Sequence, residues 1–457
     1  MIASLLTRGE IAVIGLGRSG IAVARLIARE GGRVYASDAG ASPAVHAAAA
    51  DLRRAGISAE AGVHDLPRIA ACVLVVASPG VPPDAAPLAA ARAAGVPVVG
   101  ELEVALHALR GVPYIAVTGT NGKSTVTALV AHLLRAVGYE AVAAGDIGRA
   151  LSDVALQPMR PDWLALEISS FQLHDTPGIA PAVGVLTNLS PDHLDRYPSV
   201  EAYYADKQLL YRNATPRSLW VVNADDARAR LLAEGAKGKR VAFSRTDRHA
   251  TAHYDAVMDS LVLFKQPFIH RAALPLLGWH NVENTLAALL AVMMADELLQ
   301  APEARSALVE ALQSFRGLPH RLELVAEADG VRWINDSKAT NVTSARVAIE
   351  AMAQPTVVLL GGKHKGESYT SLIEPLRAHA TLVIAYGEAE ALIAHDLAAH
   401  VPLERCGSSF EEVMQRARAA ARPGDAVLLA PACSSFDMFT NYEARGEAFR
   451  QLAQHAS

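Results

Sequence analysis

The stretch Tyr114-Ile115-Ala116-Val117-Thr118-Gly119-Thr120-Asn121-Gly122-Lys123-Ser124 decides how the chain folds. Four apolar residues in a row read as a strand buried on both faces, the pattern of a parallel sheet. A glycine-bearing turn follows, and then an apolar-periodic run from Thr125 to Val137 that reads as a helix. Gly119-x-x-Gly122-Lys123-Ser124 approaches the phosphate loop GxxxxGK[ST], with Val117 at the first glycine position. Successive backbone N–H groups in such a turn form an anion nest. The lysine adds a point charge for β- and γ-phosphates, and the serine hydroxyl suits Mg2+. The stretch predicts ATP binding in an α/β domain; the alternative is an exposed lysine on a tight turn.

The same alternation continues on both sides. Upstream, Ile11-Ala12-Val13-Ile14, Val34-Tyr35-Ala36-Ser37 and Val73-Leu74-Val75-Val76-Ala77 read as strands, with a helix from Ile21 to Arg29. Downstream, strands are expected at Trp163 to Leu166, Val183 to Leu186 and Leu219 to Val222. An antiparallel patch is expected over 241–278, and a long helix from Asn281 to Leu299. The pattern restarts at Val331-Arg332-Trp333-Ile334, with later strands at Thr356 to Leu360, Leu382 to Ala385 and Ala426 to Leu429. Gly100 and Gly317-Leu318-Pro319 are breakers between these blocks. The reading is three consecutive α/β domains, 1–100, 101–316 and 317–457. The first and last are Rossmann-like, and the central one is P-loop ATPase-like with a parallel sheet. A length of 457 residues agrees, at roughly 150 residues per domain.

Composition narrows the function class. Hydrophobic residues make up 51% and charged residues 19%, so the chain is globular. A net charge of −5 argues against a nucleic-acid partner. Cys72, Cys406 and Cys433 are far apart with no CxxC pair, which removes support for a disulfide framework or zinc ribbon. The Met1–Glu10 opening is too short in apolar residues for a secretion signal, and the Leu286–Ala295 run is shorter than the ~20 residues of a membrane span. A cytoplasmic protein without membrane insertion is expected, and a monomer.

Three further segments carry chemistry. Gly15-Leu16-Gly17-Arg18-Ser19-Gly20 follows a strand and opens a helix, with Asp38 18 residues beyond Gly20. This suits a nicotinamide dinucleotide, another nucleotide diphosphate, or a purely structural turn. Glu167 follows a buried strand, where it either ligates Mg2+ or caps the next helix. Asn188 to Tyr197 is a polar segment in which His193 is flanked by Asp192 and Asp195, a candidate metal or substrate site.

Together these segments resemble the Mur ligases. The resemblance rests on Gly119-Thr120-Asn121-Gly122-Lys123-Ser124-Thr125, on Glu167 with Ser169-Ser170-Phe171-Gln172-Leu173, on Asp192-His193-Leu194-Asp195-Arg196-Tyr197, and on Asn335-Asp336-Ser337-Lys338-Ala339-Thr340-Asn341. It spans nearly the whole chain in order, and is nearest to the branch that adds D-glutamate. The family implies ATP-dependent amide ligation onto UDP-N-acetylmuramoyl-L-alanine through an acyl phosphate, in peptidoglycan precursor synthesis. It implies that Gly119 to Thr125, Asn284, Arg321, Asp336 and Lys338 bind ATP. Ser124, Glu167, His193 and Lys207 would hold two Mg2+ ions, with Lys207 N-carboxylated by CO2 and Lys123, His193 and Lys207 catalytic. Arg18, Ser19, Asp38, Ser78, Gly80 and Asp146 would bind the UDP-sugar, and Lys365, Ser435 and Tyr442 D-glutamate. Arg321, carried by the third domain, would meet the nucleotide as that domain closes. By its own context Lys207 reads as an ordinary helix-surface lysine.

The chain departs from the family pattern at Asp146, where an asparagine is common, and at Ala39 and Gly40, which lack side chains used on uracil. The Gly361-Gly362-Lys363-His364-Lys365-Gly366 loop lacks an acid often found there, and Tyr442 replaces a phenylalanine. A nicotinamide oxidoreductase, a silent nucleotide-binding module and a ligase for another amino acid are the rival readings. Every substrate of the ligase is anionic while the chain is acidic, so its cations are expected in the clefts, at Lys123, Lys207, Arg321, Lys338 and Lys365.

Overall fold

Apolar strands run through the middle of three sheets, as Ile11 to Ile14 illustrate by being no more than 1% exposed. The computed structural model describes residues 8–192 and 196–454. The first sheet contains β1 (Glu10–Ile14), β2 (Arg33–Asp38), β3 (Ser58–Ala61), β4 (Leu74–Ala77) and β5 (Val98–Gly100). Its order is β3-β2-β1-β4-β5, with every pair parallel. Strand order reverses between β1 and β4, the switch point at which doubly wound sheets bind ligands.

The second sheet contains β6 (Tyr114–Thr118), β7 (Ala141–Gly145), β8 (Trp163–Glu167), β9 (Val183–Leu186), β10 (Leu219–Asn223), β11 (Lys239–Ser244), β12 (Ala252–Asp255), β13 (Ser260–Leu263) and β14 (Gln266–His270). Its order is β14-β13-β12-β11-β10-β9-β6-β8-β7. The pairs from β12 to β7 are parallel, and β12-β13-β14 form the antiparallel patch expected from the sequence. β6 lies between β8 and β9, so the Lys123 turn emerges beside Glu167 and Thr187.

The third sheet contains β15 (Glu323–Ala328), β16 (Val331–Asn335), β17 (Thr356–Gly361), β18 (Ala380–Tyr386), β19 (Leu403–Arg405) and β20 (Ala426–Leu429), ordered β15-β16-β20-β17-β18-β19. β15 pairs antiparallel with β16 and the rest are parallel.

Two expectations need correction. The third block starts with β15, before Val331, and Asp329 and Gly330 turn it into β16 at φ 54° and 74°. A mirror-image turn of this kind favours Asp-Gly. The helix expected to reach Leu299 runs Trp279–Ala295. Asp296 then caps a separate 3-10 turn, Glu297–Gln300, by accepting from the Leu298 N–H. The chain divides into two compact units, Met1–His270 with Asn284–Leu312, and Arg271–Glu283 with Gln313–Ser457. Among the described residues no helix is long and apolar enough to cross a membrane. All three cysteines are buried and unpaired.

Candidate active site

The phosphate loop is held in shape by neighbours that leave no room for side chains. Gly119 has φ 144° and Gly122 φ 81°, in the region glycine alone enters at little cost. A Cβ on Gly119 would stand 2.0 Å from Thr187 Oγ1, and one on Gly122 2.2 Å from Asn284 Oδ1. The loop is tied to the segment after β9. Thr187 Oγ1 donates to Asn121 O (2.7 Å), the Asn121 N–H to Asn188 Oδ1 (2.8 Å) and the Thr120 N–H to Asn188 O (2.9 Å). Lys123 opens the helix Lys123–Ala136, and its Nζ donates to Thr120 O at 2.8 Å. Alanine at position 122 should therefore displace Asn284 and raise the KM for ATP by about tenfold or more, since a left-handed L-residue alone costs about 1–2 kcal/mol. Phosphate release against ATP concentration measures this, and an unchanged KM would show that the loop tolerates the methyl group.

Ser124 and Glu167 meet at the mouth of this loop. Ser124 Oγ donates to Glu167 Oε1 at 3.1 Å, and both residues are 4% exposed. The capping alternative for Glu167 is excluded locally. Ser169 caps the short helix Ser170–His174, forming a capping box with Gln172. A buried hydroxyl and carboxylate are hard oxygen donors, a set that fits Mg2+ bound mainly through phosphates. Among the described residues there is no group of three or more His, Cys, Asp or Glu side chains that could hold a metal ion. His193 and the 193–195 segment lie outside the described residues.

Lys207 is not the surface lysine its own context suggested. It lies on the helix Val200–Gln208, is 1% exposed, and reaches Thr118 Oγ1 at 3.4 Å and the Tyr203 ring at 4.9 Å. Burial, then repulsion from Lys123, holds its ammonium well below the usual lysine range, against the pull of Asp192, Asp146 and Glu167. The phosphate-loop lysine, the Glu167 carboxylate and this amine thus share one electrostatic neighbourhood.

At the switch point of the first sheet a cavity of about 590 Å³ is lined by Arg18, Ser19, Asp38, Ser78, Gly80, Asp146 and Gln172, among others. A Cβ on Gly20 would stand 1.8 Å from Gly15 O, which explains the third glycine of that turn. Asp38 accepts from the N–H groups of Leu16 and Gly40, each at 2.7 Å, so its carboxylate shapes the turn. The Asp146 N–H donates to Glu167 O at 2.9 Å, and a Cβ on Gly145 would collide with that same carbonyl. The far end of the cavity therefore abuts the strand end that carries Glu167.

In the second unit, Asp336 follows β16 and accepts from the Leu322 N–H at 3.3 Å. Burial pushes its carboxyl up to about 7, with Arg321 and that N–H pulling the other way. The folded state thus holds this proton more tightly than the unfolded chain. The stability this provides is fully present below pH 3.8 and is lost as pH rises through about 7. Asp336→Asn should therefore gain stability over the wild type as pH rises from about 4 to about 7, read from urea midpoints at each pH. A constant difference would contradict it. Burial, with Arg321 and Arg271, pushes His280 down to about 4. Lys338 Nζ lies 5.3 Å from the Tyr442 ring, Lys365 Nζ donates to Thr340 Oγ1 at 3.3 Å, and Ser435 is buried beside the Lys363–Ser434 bridge.

Sequence reasoning overlooked several of these parts. Thr187 carried no sequence signal although it follows a core strand next to β6, a position that α/β sheets use for ligands. His64, which meets Ser37 Oγ at 2.9 Å and lines the cavity, carried no sequence signal. Tyr203, 3.3 Å from Thr120 Oγ1, read as part of an ordinary helix.

The comparisons agree with this geometry. Residues 9–100 match the Mur ligase MurD-like N-terminal domain, 117–292 the Mur ligase middle domain, and 320–433 the Mur ligase glutamate ligase domain. The chain belongs to the Mur ligase family. It is 38% identical over 451 residues to the UDP-N-acetylmuramoylalanine–D-glutamate ligase of Pelotomaculum thermopropionicum, covering 98% of this chain and 97% of that one. It is 39% identical to the enzyme of the same name from Anaeromyxobacter dehalogenans, covering 99% of each. The UDP-N-acetylmuramate-alanine ligase structure from Thermotoga maritima superposes with a TM-score of 0.62 at 20% identity, over 98% of this chain and 100% of that one, a likeness of fold.

Proposed function

We propose that this chain is the cytoplasmic ligase that joins D-glutamate to UDP-N-acetylmuramoyl-L-alanine, with ATP cleaved to ADP and phosphate, in peptidoglycan precursor synthesis. The observation that carries the reading is the contact of Asp146 with Glu167, which sets the end of a nucleotide-sugar-sized cavity against the phosphate loop. We assign the domains as 1–100 for the UDP-sugar, 101–316 for ATP and 317–457 for the amino acid, and the protein as a monomer.

The substrate's terminal carboxylate attacks the γ-phosphorus of ATP, so no protein nucleophile is needed. Lys123 and Arg321 offset charge as two anions meet. When bound, Mg2+ neutralises the phosphates and orients them. Ser124 and Glu167 would hold one such ion, and Lys207 with His193 a second. The Lys207 amine, kept neutral by burial, adds its lone pair to the carbon of CO2. A proton leaves to solvent, and an anionic carbamate oxygen stands where a neutral nitrogen was. Asn284, Asp336 and Lys338 hold the nucleotide. Lys365, Ser435 and Tyr442 hold D-glutamate, whose amine attacks the acyl phosphate, loses a proton to His193 or water, and expels phosphate. Arg18, Ser19, Asp38, Ser78, Gly80 and Asp146 bind the UDP-sugar.

Phosphate release from ATP with UDP-N-acetylmuramoyl-L-alanine and a panel of D- and L-amino acids tests this. Release with D-glutamate alone supports it, and release driven by another amino acid redirects it within the family.

A further inference from the structure

Arg445 is a fully buried cation whose hydrogen-bonded partners are all neutral oxygens. It sits in the first turn of the helix Tyr442–Gln454 and is 0% exposed. A guanidinium has five N–H donors, and all are spent here. Nε donates to Ser337 Oγ at 2.9 Å. One terminal nitrogen donates to Ser337 O (2.8 Å) and Cys433 O (3.2 Å), the other to Ser434 O (3.3 Å) and Gly361 O (3.4 Å). A buried charge is costly without a partner of opposite sign, and carbonyl dipoles offset that cost only while they are held in place.

The placement of those oxygens says what the charge is for. Ser337 follows β16, Gly361 ends β17 and Cys433-Ser434 follow β20, and these three strands are adjacent in the order β16-β20-β17. Their carboxyl ends form the edge at which such sheets bind ligands. Ser337 Oγ also donates to Tyr442 O at 2.8 Å, and Lys363 pairs with Ser434 through N–H···O bonds of 2.8 and 3.1 Å. One planar fork therefore spaces the loop of Lys338, the loop of Lys365, the residue before Ser435 and the start of the helix bearing Tyr442.

We infer that Arg445 is a positioning residue for amino-acid capture: it fixes the spacing of the three strand-end loops that receive D-glutamate. The inference rests on the function proposed above. A lysine at this position keeps the charge but has three donors and no fork, so at least two of the five acceptors lose this side chain as a donor. Loops that separate weaken an acceptor with two carboxylates more than the earlier transfer of phosphate to the UDP-sugar.

The test is Arg445→Lys, followed by phosphate release against D-glutamate and by borohydride trapping of the acyl phosphate without amino acid. The expected result is a KM for D-glutamate raised about tenfold or more, with trapped intermediate within about twofold of wild type. A D-glutamate KM within about twofold of wild type, or loss of both half-reactions in proportion, overturns the inference. If near-ultraviolet dichroism shows the lysine variant unfolded, Ser337→Ala, which removes the Nε acceptor, decides by the ratio of D-glutamate to ATP KM. A ratio raised several-fold supports the inference, and an unchanged ratio overturns it. Wild-type enzyme that releases no phosphate with D-glutamate counts against the proposed function instead.

Discussion

Lys207→Ala should lower turnover by about a thousandfold or more while the protein stays folded. The expectation comes from where the amine lies. It is buried beside Thr118 and Tyr203, within electrostatic reach of Lys123 and Glu167. Burying an ammonium here costs several kcal/mol, a cost that packing alone does not repay. Unmodified Lys207 destabilises the fold wherever the unfolded chain would protonate it. Its lowered value means that the stability it contributes is present above the usual lysine range and is lost as pH falls toward the folded value. Lys207→Met should therefore be more stable than the CO2-free wild type by about 1–4 kcal/mol near neutral pH, and nearly inactive. Activity of the wild type in CO2-depleted buffer should fall and return on adding bicarbonate. Near-normal turnover of Lys207→Ala would remove the carboxylated-lysine assignment.

Lys123→Met should cost about as much in kcat. The Lys123 ammonium has a loop carbonyl as its hydrogen-bond acceptor, Thr120 O, and stands at the head of a helix whose first turn contains no acid. Its charge is thus available to the phosphates, and charge that acts as the γ-phosphoryl group moves is worth several powers of ten. Methionine keeps the length, so the loop should hold its shape, with Gly119 and Gly122 still packed on Thr187 and Asn284. The expected signature is a kcat lower by about a thousandfold with an unchanged melting temperature. A variant that loses only ATP affinity would mean that Lys123 binds the ground state alone.

The central strands were legible in the sequence because parallel strands buried on both faces are apolar at nearly every position. β3, β5, β7 and β19 were not, and each is the edge strand of its sheet. An edge strand is covered on fewer sides, so it can be as bland as Ser58-Ala59-Glu60-Ala61, and periodicity has nothing to detect. The β15–β16 turn was a missed signal, since Asp329-Gly330 is a hairpin dipeptide. Candidate-site geometry was legible where it is local, as in the glycine turn from Gly119 to Ser124. It was illegible where burial comes from distant chain. Nothing around Tyr203-Tyr204-Ala205-Asp206-Lys207 announces that the lysine is enclosed, and nothing around Arg445 announces that carbonyls from three loops converge on it.

The central claim is that the substrate's carboxylate becomes an acyl phosphate that D-glutamate then displaces. The most direct measurement starts from UDP-N-acetylmuramoyl-L-alanine labelled with 18O in its terminal carboxylate and analyses the released phosphate by mass. One 18O atom in each phosphate, appearing only with D-glutamate present, is the predicted result. Phosphate without the label would mean that ATP is hydrolysed by water, and would contradict the account.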